Sequence, residues 1–430
     1  MKHKSFKMTF FISVFFMISA VVLSMIFPSS KPSKYETSKT NISTPKTTVK
    51  AIETAVIKEN TDEEMRAVWI PYMSLNMSGT DRSEKAFQKR IDDILENCTK
   101  NKLNTIIIHI RPNGDSLYPS KYFPWSDIIS GTQGKNPSYN PLKYIIIASH
   151  KKNIKVHAWI NPLRIRFSQT PSALSSDNPY TIWQNDDNEE NNRYTFQSGK
   201  NIYYNPAYSE VRELIINGVR EIIENYEVDG IHFDDYFYPE NDMKCDEVDY
   251  KKYLSTVDEN YSPLSHTEWR KANINALISG VYTAIHEIKD NVVFGISPQC
   301  NTENDEKISA DIKSWGSIAG FVDYICPQIY VSNTHPYLPF KKSADEWRKI
   351  INNKSVKFYI GLAVYKAGSD SDSGTWLESD EILKNQILYG RSINCDGFML
   401  YSYEYLSIDQ TSNEAVSYTH LRAHETLRHL

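Results

Sequence analysis

Cysteine chemistry is sparse in this sequence. The chain carries 5 cysteines among 430 residues, at Cys98, Cys245, Cys300, Cys326 and Cys395. They are scattered, odd in number and never spaced as CxxC, which argues against a disulfide framework and against a zinc site. Cys326 and Cys395 lie in apolar, strand-like runs and read as core. Long runs of one charge sign are also missing, and the formal net charge is -5. A nucleic-acid partner would ask for a basic face, so none is expected. No cysteine follows the apolar N-terminal run, which removes a lipid-modified cysteine as an anchor.

What is present is an apolar fraction of 40%, enough for a substantial core, and 12% aromatics led by 28 tyrosines. Lys2, Lys4 and Lys7 precede a stretch without charge from Met8 to Phe27. Positive charge followed by apolar sequence is an export signal. The stretch is close to the roughly 20 residues that span a bilayer, and no small-x-small cleavage site stands out. Residues 1–27 therefore read as a signal peptide or N-terminal membrane anchor, with the anchor favoured. The lysines on its N-terminal side would leave the rest of the chain outside the cytoplasm. Residues 28–64 are rich in Ser, Thr, Lys and Pro and cannot bury a core; they read as a disordered spacer. At the other end, residues 416–430 resemble the translation of a sequencing-adapter read-through. They are set aside from fold reasoning despite their histidines, His420, His424 and His429.

Between these segments, residues 65–415 alternate short β-branched runs with longer amphipathic ones, the pattern of a parallel sheet with crossover helices. Eight strands are predicted, over 66–71, 104–110, 155–160, 229–234, 292–297, 323–330, 357–363 and 397–402. Helices are predicted over 83–100, 141–152, 206–226, 266–290, 308–319, 344–351 and 380–391. Val211, Leu214, Ile215, Val219, Ile222 and Ile223 recur at helical spacing. The expected fold is an α/β (β/α)₈ TIM barrel with long βα loops, its last helix missing or replaced by the tail. Residues 111–140, 161–205 and 236–265 form the long connections, on the face where barrel enzymes concentrate function. The acidic stretch 186–192 reads as solvated surface.

The segment VDGIHFDDYFYP, from Val228 to Pro239, is the centre of the reading. Gly230, His232 and Asp234 share one side of the strand, and Ile231 and Phe233 the other. Inward polar residues at the C-terminal end of a barrel strand point into the active-site mouth. Adjacent carboxylates at Asp234 and Asp235 repel, which raises one pKa toward what a general acid needs at neutral pH. The plainer alternative is that one aspartate caps the turn after the strand.

This segment resembles the strand-four motif of the family-10-like glycosyl hydrolases. Further similarity follows at Arg66–Ile70 (RAVWI), His109–Trp125 (HIRPNGDSLYPSKYFPW), His157–Arg164 (HAWINPLR), Phe294–Pro298 (FGISP) and Asp323–Tyr330 (DYICPQIY). It runs from about residue 64 to 406. The resemblance implies a TIM barrel and hydrolysis of a bacterial glycan, peptidoglycan strands being a target for some members. Two stretches depart from it. Residues 297–304 (SPQCNTEN) replace a glycine-rich continuation, and Tyr330-Val331 replaces an aromatic pair. The segment is also similar in part to the chitinase pattern DGxDxDxE. Here, however, His232 replaces one acid and Tyr236 stands where the chitinase proton donor would be.

Glycoside hydrolysis ordinarily uses two carboxylates. Asp234 and Asp235 are expected to supply at least one. Glu404, just past strand eight, is a candidate for the second, although a solvated loop glutamate is the simpler reading. Assistance by a substrate N-acetyl group would need only one acid. Asp115 is expected to orient Arg111 or a sugar hydroxyl. Amides, arginines and flat rings at strand ends suit sugar hydroxyls and pyranose faces. The expected shell is Arg111, Asn113, Trp159, Asn161, Arg164, Tyr204, Asn205, His232, Tyr236, Gln328, Tyr330 and Tyr365, with Trp69 in the barrel core. No cofactor or metal is expected. The function expected is hydrolysis of O-glycosidic bonds in a cell-wall or exopolysaccharide glycan, outside the cytoplasm. The alternatives are a non-catalytic glycan-binding barrel and a metal-dependent deacetylase built on His109, His157 and His232.

Overall fold

The structure, a computed structural model, describes residues 64–239 and 242–406. The N-terminal segment 1–27, nearly all of the spacer and the tail 416–430 lie outside the described residues. Among the described residues no helix is long and apolar enough to cross a membrane.

The described residues form eleven strands: β1 Met65–Ile70, β2 Thr105–Arg111, β3 Lys155–Ile160, β4 Arg164–Arg166, β5 Thr195–Ser198, β6 Asn201–Tyr204, β7 Gly230–Phe233, β8 Val293–Ile296, β9 Tyr324–Ile325, β10 Lys357–Ala363 and β11 Gly397–Tyr401. Eight of them close a parallel barrel in the order β1-β11-β10-β9-β8-β7-β3-β2. These are the eight strands expected, and the fold is a (β/α)₈ barrel. β9 is much shorter than its apolar run because Pro327 lacks an N–H to continue the ladder. Beyond it Gln328 makes only isolated bridges, to Gln299 and Gly361.

The remaining strands β4, β6 and β5 form a small antiparallel sheet. It lies inside the 161–205 connection, where only loop was expected. The connection after β7 likewise carries a helix, Glu247–Thr256. The 308–319 helix is shorter than predicted, Ile312–Ser317, started by an Asp311 side chain that accepts from Ser314 N at 3.3 Å.

Two cores divide along strand parity. The outward residues Val68, Ile106, Ile108, Val156, Ala158, Ile231, Phe233 and Phe294 pack under the helices. The inward residues Ala67, Trp69, Ile107, Trp159, Tyr324, Cys326 and Met399 fill the barrel itself. At the opposite end from the mouth, one device recurs. Asp229, Asp323 and Asp396 each precede a strand and accept the N–H of Val156, Phe294 and Phe358 at 2.8, 2.7 and 2.9 Å. Asn104 does the same for Arg66 at 2.9 Å. Each clamp pairs the start of one strand with the start of its neighbour and sets register where the ladder begins.

Candidate active site

Asp234 follows β7, where the strand leaves its ladder and enters the mouth. Its Oδ2 accepts from Trp159 Nε1 at 3.1 Å and from the Asn161 side-chain amide. Trp159 closes β3 from inside, and its ring stacks on His109 with centroids 3.7 Å apart. Asn161 is held in turn: its Oδ1 meets His109 Nε2 and accepts from Arg164 Nη2 at 3.0 Å. Arg164 Nε is tied to Pro112 O at 2.7 Å. Asp234 is thus fixed by residues two bonds deep, while only 3% of its surface is exposed. Burial, with the neighbouring Asp235 charge, carries its pKa up to about 7 against the pull of Arg164 and Trp159.

Asp235 is less enclosed. Its Oδ1 accepts from Gln328 Nε2 at 2.9 Å, and the same amide donates to Ser297 O at 2.9 Å. Its pKa is also raised by burial, and hydrogen bonds from the Gln328 and Gln299 side chains oppose the rise. The two carboxyls are adjacent and differently solvated, and both hold a proton more tightly than an ordinary carboxylate does.

Aromatic faces line the rim. Tyr236 is 44% exposed, with the Arg164 guanidinium 5.2 Å from its ring centre. Tyr330, Tyr365 and Tyr401 meet one another at 5.6 to 6.0 Å. Trp69 lies beneath them, 6.4 Å from Tyr330 and 6.0 Å from Tyr401. Tyr401 was not anticipated as a site residue. Burial, with Glu404, Tyr365 and Asp234 nearby, raises its hydroxyl pKa to about 12.

Glu404 lies at the correct face, but both of its oxygens are engaged. Oε1 accepts from Ser74 Oγ, and Oε2 from Ser402 Oγ at 2.5 Å. It ties the turn after β11 to the Tyr72–Leu75 helix after β1, across the seam where the barrel closes.

Five further expected ligands are buried away from the carboxyl pair's hydrogen-bond network. A β-bulge between His109 and Arg111 shifts the β2 register and reverses the parity that would have aimed Arg111 inward. Its guanidinium instead lies 4.3 Å over Phe123, and a Cβ on Gly218 would fall 2.9 Å from Nη1. Asp115 is fully buried, accepts from Gln133 Nε2 at 3.2 Å, and is pushed to about 7 by burial and by Asp127. Asn113 and Tyr204 are buried beside it. Asn205 donates to Asp249 Oδ2 at 3.0 Å and knits the β6 connection to the Glu247–Thr256 helix. His232 is also fully buried, beneath the pair rather than at the mouth.

Asp305 was missed. It lies in the Thr302–Lys307 helix after β8 and accepts from Gln299 N at 3.0 Å. Burial and the Asp235 charge raise its pKa to about 8. Only proximity in space marks it, because its helix is short, polar and without apolar periodicity. Among the described residues no group of three or more His, Cys, Asp or Glu is placed to hold a metal ion.

Carboxyls of raised proton affinity at barrel strand ends, framed by amide donors and flat rings, suit the hydrolysis of glycosidic bonds. The chain belongs to the glycosyl hydrolase-like 10 family, whose profile matches residues 64–377. It is 32% identical over 352 residues to glycosyl hydrolase YngK of Bacillus subtilis (strain 168), covering 77% of this chain and 66% of that protein, just under two thirds. It is 30% identical over 400 residues to glycosyl hydrolase DigH of Escherichia coli (strain K12), covering 85% and 88%. Among solved structures, the PgaB (BpsB) glycoside hydrolase domain from Bordetella bronchiseptica superposes with a TM-score of 0.53 at 10% identity, over 82% of this chain and 98% of that one. The β-amylase catalytic domain from Paenibacillus polymyxa gives 0.51 at 12% identity, over 83% and 97%. These two likenesses carry the fold.

Proposed function

We propose that this chain hydrolyses O-glycosidic bonds in a bacterial cell-wall or exopolysaccharide glycan, peptidoglycan strands included, with Asp234 and Asp235 as its acid–base pair. The observation that carries this reading is the carboxyl pair at the end of β7, with Asp234 lifted to about 7. At neutral pH the pair keeps one proton. Asp234 is its protonated member, and that proton is delivered to the leaving-group oxygen. Asp235, steadied by Gln328, is the ionised member and stabilises positive charge developing on the sugar ring or activates the attacking nucleophile. Tyr236, Tyr330, Tyr365 and Tyr401 offer faces to the apolar sides of pyranoses. A glycan outside the cytoplasm fits the lysines and apolar stretch of residues 1–27, which support export and membrane attachment.

The test is digestion of purified peptidoglycan, and of glycan strands stripped of peptide, by wild type, Asp234→Asn and Asp235→Asn, with products identified by mass. Cleavage by wild type that fails in both variants is expected. Equal cleavage by all three would remove the pair from the mechanism. No cleavage of any glycan by wild type would favour a glycan-binding barrel.

A further inference from the structure

Beneath the carboxyl pair, three buried side chains share one hydroxyl. Tyr324 Oη lies 2.9 Å from His157 Nδ1 and 2.9 Å from His232 Nδ1. On the far side of the His232 ring, Nε2 meets Trp69 Nε1 at 3.2 Å and Ser297 Oγ at 3.0 Å. Both imidazoles are almost completely buried. The barrel interior is hollowed for these rings. A Cβ on Gly295 would fall 2.1 Å from the Tyr324 ring, and one on Gly230 would fall 2.8 Å from His157.

Donor inventory gives this cluster a direction. An indole N–H can only donate, so His232 Nε2 must accept from Trp69, and the Ser297 hydroxyl, at 3.0 Å from the same nitrogen, is a second donor to it. A buried neutral imidazole has one proton, and in His232 that proton is then on Nδ1. It can only be donated to Tyr324 Oη. The Tyr324 hydroxyl has one proton of its own and gives it to His157 Nδ1. Burial holds both imidazoles below their ordinary pKa, so neither gains the second proton that would reverse the order.

We propose that Tyr324 and His232 are positioning residues. Their one-way chain, Trp69 to His232 to Tyr324 to His157, fixes Trp69 and Ser297 under the reacting carboxyls. Each anchored group reaches the site. Trp69 supports the Tyr330 and Tyr401 rings. Ser297 O holds the Gln328 amide that also holds Asp235. The kinetic part of this inference rests on the glycosidase reading; the proton order does not.

Neutron diffraction from deuterium-exchanged crystals of the wild-type chain near neutral pD tests the order. The expected deuterons are on His232 Nδ1 and on Tyr324 Oη directed at His157. A deuteron on His232 Nε2, or on both of its nitrogens, would overturn the chain. This result stands whether or not any glycan is cleaved and needs no variant to fold. The positioning role is tested with Tyr324→Phe on glycan strands stripped of peptide. Without the hydroxyl, the proton on His232 Nδ1 loses its acceptor, and His232 is expected to move that proton to Nε2 and release Trp69. The expected result is kcat lower by about tenfold with KM within about twofold. An unchanged kcat would remove the positioning role while leaving the acid–base reading intact.

Discussion

At the residue scale, Asp234 trades stability for proton affinity. Its folded pKa of about 7 lies above its ordinary 3.8, so the folded protein binds that proton more tightly than the unfolded chain does. Stability is therefore lost as pH rises from about 4 to about 7, and the full penalty applies above that window. Asp234→Asn keeps the side chain's size and an acceptor for Trp159 and Asn161 but cannot ionise. Its melting temperature should exceed that of wild type at pH 8, with the gap closing toward pH 4. Its hydrolytic rate should fall by about 10²–10⁴-fold, the usual contribution of a general acid. In wild type, kcat should decline as pH rises through about 7, where Asp234 deprotonates; a flat profile from pH 6 to 9 would count against its role as acid. Glu404 provides the contrast. Both of its oxygens are already engaged by serine hydroxyls, so Glu404→Gln should keep kcat within about fivefold while lowering stability by about 1.5–3 kcal/mol, the scale of one lost hydrogen bond to a charged group. A loss as deep as that of Asp234→Asn would make it the second catalytic carboxylate.

At the scale of elements, the aspartates sort by which end of a strand they occupy. Asp229, Asp323 and Asp396 stand at strand starts and clamp the backbone of a neighbour, far from the mouth where Asp234 and Asp235 end β7. Asp323→Ala should cost about 1–3 kcal/mol by urea unfolding, because it leaves the Phe294 N–H without its acceptor, and should leave kcat unchanged. The same element logic marks what the sequence disclosed. The eight barrel strands were legible because β-branched runs alternate with amphipathic segments. The β4–β6–β5 sheet was not, because strands of 3 and 4 residues are too short to set a period. Asp234, Trp159, Asn161 and Gln328 could be found from position at strand ends. Arg111 could not be placed, because a single bulged residue reverses parity without leaving a mark in composition. Asp305 could not be found either, since a polar helix of 6 residues looks like any loop.

For the molecule as a whole, the barrel interior couples the fold to the site. The inward face is not filled by aliphatic residues alone: Trp69, His109, His157, Trp159, His232 and Tyr324 are all buried, and the small residues Gly230 and Gly295 on β7 and β8 make the space for two of them. A Cβ at Gly295 would lie 2.1 Å from Tyr324 Cε2 and Cζ, a distance no rotamer change of a methyl can relieve. The Tyr324 ring would have to move, yet its hydroxyl is held between two histidines. Gly295→Ala should therefore destabilise the barrel by about 1–3 kcal/mol, as overpacking does, and lower kcat as well, because the ring it displaces underlies Trp69 and Ser297. Shrinking the ring should relieve the first effect but not the second. The double variant Gly295→Ala, Tyr324→Leu should be more stable than the sum of its parts while remaining slow. Additive losses of stability in that cycle would mean that the glycine is not there to accommodate the tyrosine, and that the interior of this barrel is less tightly tied to its mouth than the geometry indicates.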